Sequence, residues 1–317
     1  MAIINKACSE FNQIVLKVLI TCPRVVESET LFTKFFDENN HDVDYIYPTK
    51  QGFDSVELRS IYDEHELLIV GDDQVNSDFL ENALNLKTII KWGKGIDNID
   101  KKYCTDYGID LFNSPGNIAQ FVAEHGLALI LGLLKNLNQN TQMIKKNIWS
   151  KEENLSLFNK NIGFYGFGDV ANNLSKLVEP FNTKIKFYDI KKINNDYFQV
   201  EYDELFQTSD IVIIASELTA ENKGIVDFNT LKMMSPSAIL INISRGKIIN
   251  EKNLIRALNE SLISGAGLDV LEEEPIDSNN KLLLFDNVII TCHNASNTKQ
   301  ATISVNNEIL EILESII

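Results

Sequence analysis

Three side chains in the last quarter of the chain can handle charge and a proton together: Arg245, Glu274 and His293. They fall in the segments INISRGK, GAGLDVLEEEP and NVIITCHNAS, each where a run of strand character gives way to a loop. An arginine grips a carboxylate through two parallel N–H bonds. A histidine steered by a carboxylate moves a proton at a neighbouring carbon. Together they suit hydride chemistry on a 2-hydroxy or 2-keto acid, with a dinucleotide to carry the hydride. Charge alone does not choose among Glu272, Glu273 and Glu274, because all three precede Pro275.

A dinucleotide site is legible upstream. In NIGFYGFGDVANNLSKL, an apolar strand leads into Gly166 and Gly168, and a helix is expected to begin near Asp169. This is a G-x-G-x-x-A pattern with Ala171 as the third small residue. The first glycine allows a tight turn, the second lets backbone approach a pyrophosphate at the helix N-terminus, and the third keeps helix and strand close. The next strand, KIKFYD, ends in Asp189 at the distance expected of a ribose-binding acid.

Positioning these groups requires sheet edges, and the chain supplies two series of them. VLKVLI, DVDYIY, ELLIV, KTIIKW and IDLFN read as strands, with SETLFTKFFDENN and NSDFLENAL as helices between. NIGFY, KIKFYD, DIVIIA, AILINI, GAGLDV and NVIIT form a second series. Alternation of this kind implies parallel strands with crossover helices. The expected fold class is α/β, two doubly wound parallel-sheet domains joined by a long helix from about Asn117 to Leu137.

The 317 residues are enough for two cores. With 29 basic against 45 acidic residues, the net charge of −16 discourages nucleic acid and anionic membranes as partners. MAIINKACSEFNQ lacks the long apolar stretch of a signal peptide, and the apolar run GLALILGLL falls far short of the roughly 18 to 20 residues of a membrane span. A cytoplasmic protein is expected. Cys8, Cys22, Cys104 and Cys292 show no C-x-x-C spacing and read as free thiols, with no metal site. His125, inside an apolar helix, reads as a satisfied structural residue, and His41 and His65 read as surface residues.

Taken together, the glycine turn and the Arg245, Asp269, Glu274, His293 order resemble the D-isomer-specific 2-hydroxyacid dehydrogenase family. KWGKGIDNID and NSPGNIAQFVAEH resemble its substrate-loop and hinge segments, and the phosphoglycerate dehydrogenase branch looks nearest. The resemblance implies a flavodoxin-like substrate domain over 1–115 and 297–317 and a Rossmann NAD-binding domain over 116–296. It selects Glu274 as the partner of His293. It puts Gly166, Gly168, Asp169, Val170, Asp189, Ser216, Ile243, Ser244, Asp269 and Ser296 along NAD, with Asp269 toward the nicotinamide carboxamide. Arg245 and the Gly93–Ile96 backbone, including Gly95 and Ile96, would hold the substrate carboxylate in a cleft between the domains.

Two lysines stand out in that loop. Lys91 lies where phosphoglycerate enzymes have arginine, and Lys94 where a small or apolar residue is usual. Either would favour a phosphate or second carboxylate, whereas Gly71 stands where some relatives carry a phosphate-binding arginine. The implied reaction is NAD-dependent interconversion of a small anionic D-2-hydroxy acid, 3-phosphoglycerate included, and its 2-keto acid. Phosphite dehydrogenase and a dinucleotide-sensing corepressor are the alternatives within the resemblance. The helix through FVAEHGLALILGLL is apolar on more than one face, which calls for a partner beyond its own domain, and the resemblance implies that this is the same segment of a second subunit, giving a homodimer.

Overall fold

The structure, a computed structural model, describes residues 15–317. Cys8 and the segment MAIINKACSEFNQ lie outside the described residues. The chain divides into two compact units, one running up to Ile118 and resuming at Asn297–Ile317, the other spanning Ala119–Ser296.

The first unit holds five parallel strands: β1 (Lys17–Ile20), β2 (Asp42–Tyr45), β3 (Leu67–Val70), β4 (Thr88–Trp92) and β5 (Asp110–Ser114). Their order is β2-β1-β3-β4-β5, a doubly wound sheet whose direction of winding reverses between β1 and β3. β3 and β4 are buried throughout, as central parallel strands must be when helices cover both faces. Phe32, Phe36 and Val305 pack on one face, and Leu58, Phe79 and Leu111 on the other. Two short helices went unread in the sequence, Ser55–Ile61 and Lys101–Tyr107. The first is started by a capping box in which Asp54 and Glu57 each bond the other's backbone N–H.

The second unit is a seven-stranded parallel sheet. It comprises β6 (Asn161–Tyr165), β7 (Lys184–Tyr188), β8 (Phe198–Gln199), β9 (Ile211–Ile214), β10 (Ile239–Asn242), β11 (Gly265–Leu268) and β12 (Val288–Ile290). The order β12-β11-β10-β9-β6-β7-β8 reverses between β6 and β9, the Rossmann arrangement. β8, two exposed residues at the sheet edge, was not anticipated, because so short a segment has no periodicity to read. The Ala119–Leu134 helix buries Val122, Ala123, Gly126, Leu129 and Ile130 against this sheet. It ends earlier than the sequence suggests, and a second helix, Leu137–Lys145, follows.

Two histidines depart from expectation. His65 is buried at 1% exposure rather than on the surface. Its Nδ1 accepts from the Asp63 N–H at 3.1 Å, so Nε2 carries the proton and donates to Asp44 at 3.0 Å. His41 is half-buried, and its Nδ1 accepts from the Leu16 N–H at 3.1 Å. Neither environment is visible in sequence, because Asp44 lies 21 residues from His65 and Leu16 lies 25 residues from His41. Cys22 and Cys104 are buried free thiols, and burial pushes Cys22 up to about 12 and Cys104 up to about 11. Cys292 is free and exposed.

The C-terminal helix, Lys299–Ile316, is tied to the first unit by polar bonds as well as apolar packing. Buried Asn306 accepts from the Trp92 indole N–H at 2.9 Å and donates to the Ser28 hydroxyl at 2.9 Å and the Arg24 carbonyl at 3.2 Å. Asn306→Ala strands the indole N–H in the core, a loss of about 1–3 kcal/mol. Urea unfolding should show that loss, and an unchanged midpoint would mean the pair contributes nothing net.

Candidate active site in the second unit

The turn after β6 is shaped by a close backbone approach. Gly166 has φ +86°, and a Cβ there would lie 2.6 Å from Ser216 Cα, in the segment that follows β9. Only glycine permits both the dihedral and the contact. The turn therefore sits where the strand order reverses, the place at which open α/β sheets take ligands. Gly168 follows in extended conformation as the N-cap of the Asp169–Val178 helix. Asp169 and Val170 open that helix, whose first N–H groups have no intrahelical partner and suit a pyrophosphate. Ala171 is fully buried beneath it.

Asp189 follows directly on the neighbouring strand β7. Its Oδ2 accepts from the Phe167 N–H at 3.0 Å and its Oδ1 from the Lys191 N–H at 2.9 Å. The acid is thereby locked to the glycine turn itself. Lys191 and Lys192 are exposed just beyond it. Ser216 is held by Asn222, whose amide donates to its hydroxyl at 3.3 Å and to the Glu217 carbonyl at 2.7 Å. A glycine turn, a helix N-terminus and a carboxylate at the next strand end fit a dinucleotide with unmodified ribose hydroxyls.

The loop after β10 presents Arg245. Its organiser is Asn242, a fully buried residue closing an otherwise apolar strand. Asn242 Oδ1 accepts from the Ser244 N–H at 3.1 Å and hydroxyl at 3.0 Å, while Nδ2 donates to the Arg245 carbonyl at 3.0 Å. Arg245 Nη1 donates to the Ser244 carbonyl at 2.8 Å. Ile243 is buried and Ser244 half-buried. A Cβ on Gly246 would come within 1.8 Å of the Leu271 carbonyl oxygen, so the arginine loop lies directly against the loop that leads to Glu274. The sequence reading missed Asn242 and Gly246. A lone asparagine ending ILIN, followed by an Arg-Gly pair, was the available signal.

Glu274 and His293 meet. Glu274 Oε2 lies 2.8 Å from His293 Nδ1, and Oε1 accepts from the Leu271 N–H at 2.8 Å. Both side chains are roughly a quarter exposed. With Nδ1 committed to the carboxylate, Nε2 is the ring nitrogen suited to proton exchange with a ligand. Glu272 and Glu273 are exposed, as expected of a solvated loop. Glu272 also accepts from the Glu251 N–H at 3.2 Å, at the start of the Glu251–Asn259 helix.

Asp269 has a larger structural part than sequence suggests. At 2% exposure, its Oδ1 accepts from the Thr291 hydroxyl at 2.6 Å and the Asn294 N–H at 3.0 Å. Its Oδ2 accepts from the Ala295 N–H at 3.0 Å, and its backbone carbonyl accepts from the His293 N–H at 2.8 Å. The strand-end acid thus grips the histidine loop from both sides of His293. Ser296, half-buried, closes that loop.

Arg245, Asp269, Glu274, His293, the glycine turn, Asp189 and Ser216 all follow C-terminal strand ends of this one sheet. Lys91, Lys94, Gly95 and Ile96 belong to the first unit, at the end of β4. There Lys91 is buried, with Nζ 2.6 Å from the Trp92 carbonyl and 3.7 Å from Asp72 Oδ1. Lys94 is exposed, and its carbonyl accepts from Asn113 at 2.8 Å. Asp73 is buried and accepts from Thr21, Gly71 and Phe53, while Asp72 Oδ1 faces Lys91.

A family profile for the D-isomer specific 2-hydroxyacid dehydrogenase NAD-binding domain matches residues 127–295. The chain belongs to that family. Family membership makes it an NAD-dependent dehydrogenase. It is 33% identical to a glyoxylate reductase from Pyrococcus furiosus, over 77% of this chain and 76% of that protein. It is 34% identical to a D-3-phosphoglycerate dehydrogenase from Methanocaldococcus jannaschii, over 77% of this chain but 48% of that longer protein. Among solved structures, D-lactate dehydrogenase from Aquifex aeolicus, complexed with NAD and lactic acid, superposes with a TM-score of 0.83. It shares 25% identity, with 94% of each chain covered.

Cofactor kinetics check the part assigned to Asp189. A carboxylate on the ribose hydroxyls repels a 2′-phosphate, so kcat/KM should favour NADH over NADPH by about tenfold or more, roughly 1.4 kcal/mol. Asp189→Ser should narrow that ratio. Equal efficiency in the unaltered enzyme would show that Lys191 and Lys192 outweigh the aspartate.

Proposed function

We propose that this dehydrogenase interconverts a small, unphosphorylated D-2-hydroxy acid and its 2-keto acid, with acids of the glyoxylate and hydroxypyruvate type as the substrate class. The single observation that carries the reading is the 2.8 Å Glu274–His293 pair at the edge of a sheet that also presents Arg245 and the dinucleotide turn. NAD supplies the hydride acceptor, and NADH the donor. The rest falls to side chains of this chain. Arg245 holds the substrate carboxylate through its guanidinium fork, which fixes the 2-carbon in place. His293, protonated, gives the Nε2 proton to the carbonyl oxygen during reduction, and takes it back from the hydroxyl during oxidation. Glu274 accepts from the Nδ1–H, which fixes the tautomer and the orientation of the ring.

The preference for an unphosphorylated acid rests on Lys91. Its ammonium is buried and held by the Trp92 carbonyl and Asp72 within its own unit. Recruiting it for a phosphate would strip Asp72 and a carbonyl of a buried cation, at a cost of several kcal/mol. The similarity to a glyoxylate reductase over three-quarters of both chains supports the same direction.

A cofactor-absorbance assay with NADH and glyoxylate, hydroxypyruvate, pyruvate or phosphohydroxypyruvate tests the reading, with phosphite and NAD as a further arm. Glyoxylate or hydroxypyruvate should give the highest kcat/KM. His293→Ala should lower kcat by about two to four orders of magnitude with the fold intact. Phosphohydroxypyruvate or phosphite as the best substrate would sink the substrate assignment, and a fully active His293→Ala would sink the proton assignment.

We further propose that the active form is a homodimer. In the Ala119–Leu134 helix, Phe121, Leu127 and Leu131 are only partly covered, and Leu137, Ile144, Ile148 and Trp149 beyond it are exposed. Several exposed apolar side chains in one stretch of chain suit an interface. Light scattering at micromolar concentration should return the mass of two chains. One chain's mass of 35.9 kDa would overturn the dimer.

A further inference from the structure

His125 stands outside the Arg245, Glu274 and His293 set, yet its ring is directed at the loop that carries His293. From the Ala119–Leu134 helix, its Nε2 reaches 3.0 Å from Thr291 Oγ1 and 3.4 Å from Asp269 Oδ1. The direction of these bonds follows from what each group can do. Backbone N–H groups donate to both oxygens of Asp269, the pattern of a carboxylate, which only accepts. The Thr291 hydroxyl must therefore give its single hydrogen to Asp269 across the 2.6 Å contact. That leaves only lone pairs facing the ring, so His125 must carry its proton on Nε2. The chain of donors runs from His125 to Thr291 to Asp269.

What the chain steadies is an unfavourable backbone. His293 has φ +51°, in the left-handed region that side-chain-bearing residues avoid. Such a conformation persists only where its surroundings over-determine it. Asp269 provides that constraint by binding the N–H groups of His293, Asn294 and Ala295 in succession. Its carboxylate is oriented in turn by Thr291 and His125, from a strand end and a helix.

We propose that His125 is a positioning residue for His293, acting through Thr291 and Asp269 without touching substrate. The helix thereby sets the line along which the His293 imidazole meets the reacting carbonyl. This rests on the reading that His293 exchanges the substrate proton.

The test uses the full-length enzyme, with hydroxypyruvate as the 2-keto acid and NADH binding followed by fluorescence. His125→Leu and Thr291→Val remove a donor while filling similar space. Each should lower kcat by about ten- to a hundredfold, the scale of a misplacement near 1 Å, with NADH affinity within about twofold. His125→Gln, whose amide nitrogen can donate from a similar position, and Thr291→Ser should recover most of the rate. In a His293→Ala background the Leu and Val substitutions should cost almost nothing further, because no imidazole remains to align.

Unchanged kcat in His125→Leu and Thr291→Val would overturn the proposal. So would a loss of NADH binding that parallels the loss of rate, or an undiminished effect in the His293→Ala background. A His293→Ala enzyme of normal kcat would instead remove the underlying assignment of the proton to His293, which separates the two failures.

Discussion

A carboxylate withdrawn from water must find hydrogen bonds, and in this protein Asp269 finds them in the chain around His293. The segment from Thr291 to Ala295 leaves the sheet and turns back on the end of β11, because its N–H groups are what the buried acid accepts from. His293 is carried into a left-handed backbone conformation by that turn, at a local cost of about 1–2 kcal/mol. The donors on Asp269 offset it. The imidazole then points along the loop toward Glu274, which is itself fixed by the Leu271 N–H. The proton chemistry proposed for His293 would then depend on an acid that need not exchange a proton at all.

The same logic governs the other loops of the sheet. Three of the positions proposed to meet ligand are fixed by hydrogen bonds within the sheet's own loops. Asn242 shapes the Arg245 loop, Asn222 holds Ser216, and Asp189 is bonded to the turn it accompanies. Charge held this way needs no reorganisation when a substrate arrives, which is the property that makes electrostatic stabilisation effective. The first unit shows the converse. Lys91, which by type alone looks ready for a phosphate, is spent on a carbonyl and a carboxylate beside it.

Parallel strands explain why so much of the candidate site was legible in order along the chain. Every strand of a parallel sheet ends on the same edge, so residues that follow apolar runs collect there whatever their separation. Arg245, Asp269, Glu274 and His293 each follow such a run, as do Gly166 and Asp189. Among the described residues, periodicity located eleven of the twelve strands and omitted β8, an exposed pair with nothing to repeat. The Ser55–Ile61 helix was announced by Asp54 and Glu57 and overlooked, because seven residues are too few for a clear apolar stripe.

What the sequence determined by itself was the α/β class, the two strand series, the glycine turn and the identity of the groups with chemical potential. These are local matters of apolar runs, turn residues and residue type. Only the tertiary structure decided which of those groups are engaged and with what. It buried His65 against Asp44, paired Lys91 with Asp72, and put His125 within reach of Thr291, a residue 166 positions away. Hydrogen-bond partners across such separations depend on how a helix lies on a sheet. A single sequence records the helix and the sheet, and holds no record of which side chains their packing brings face to face.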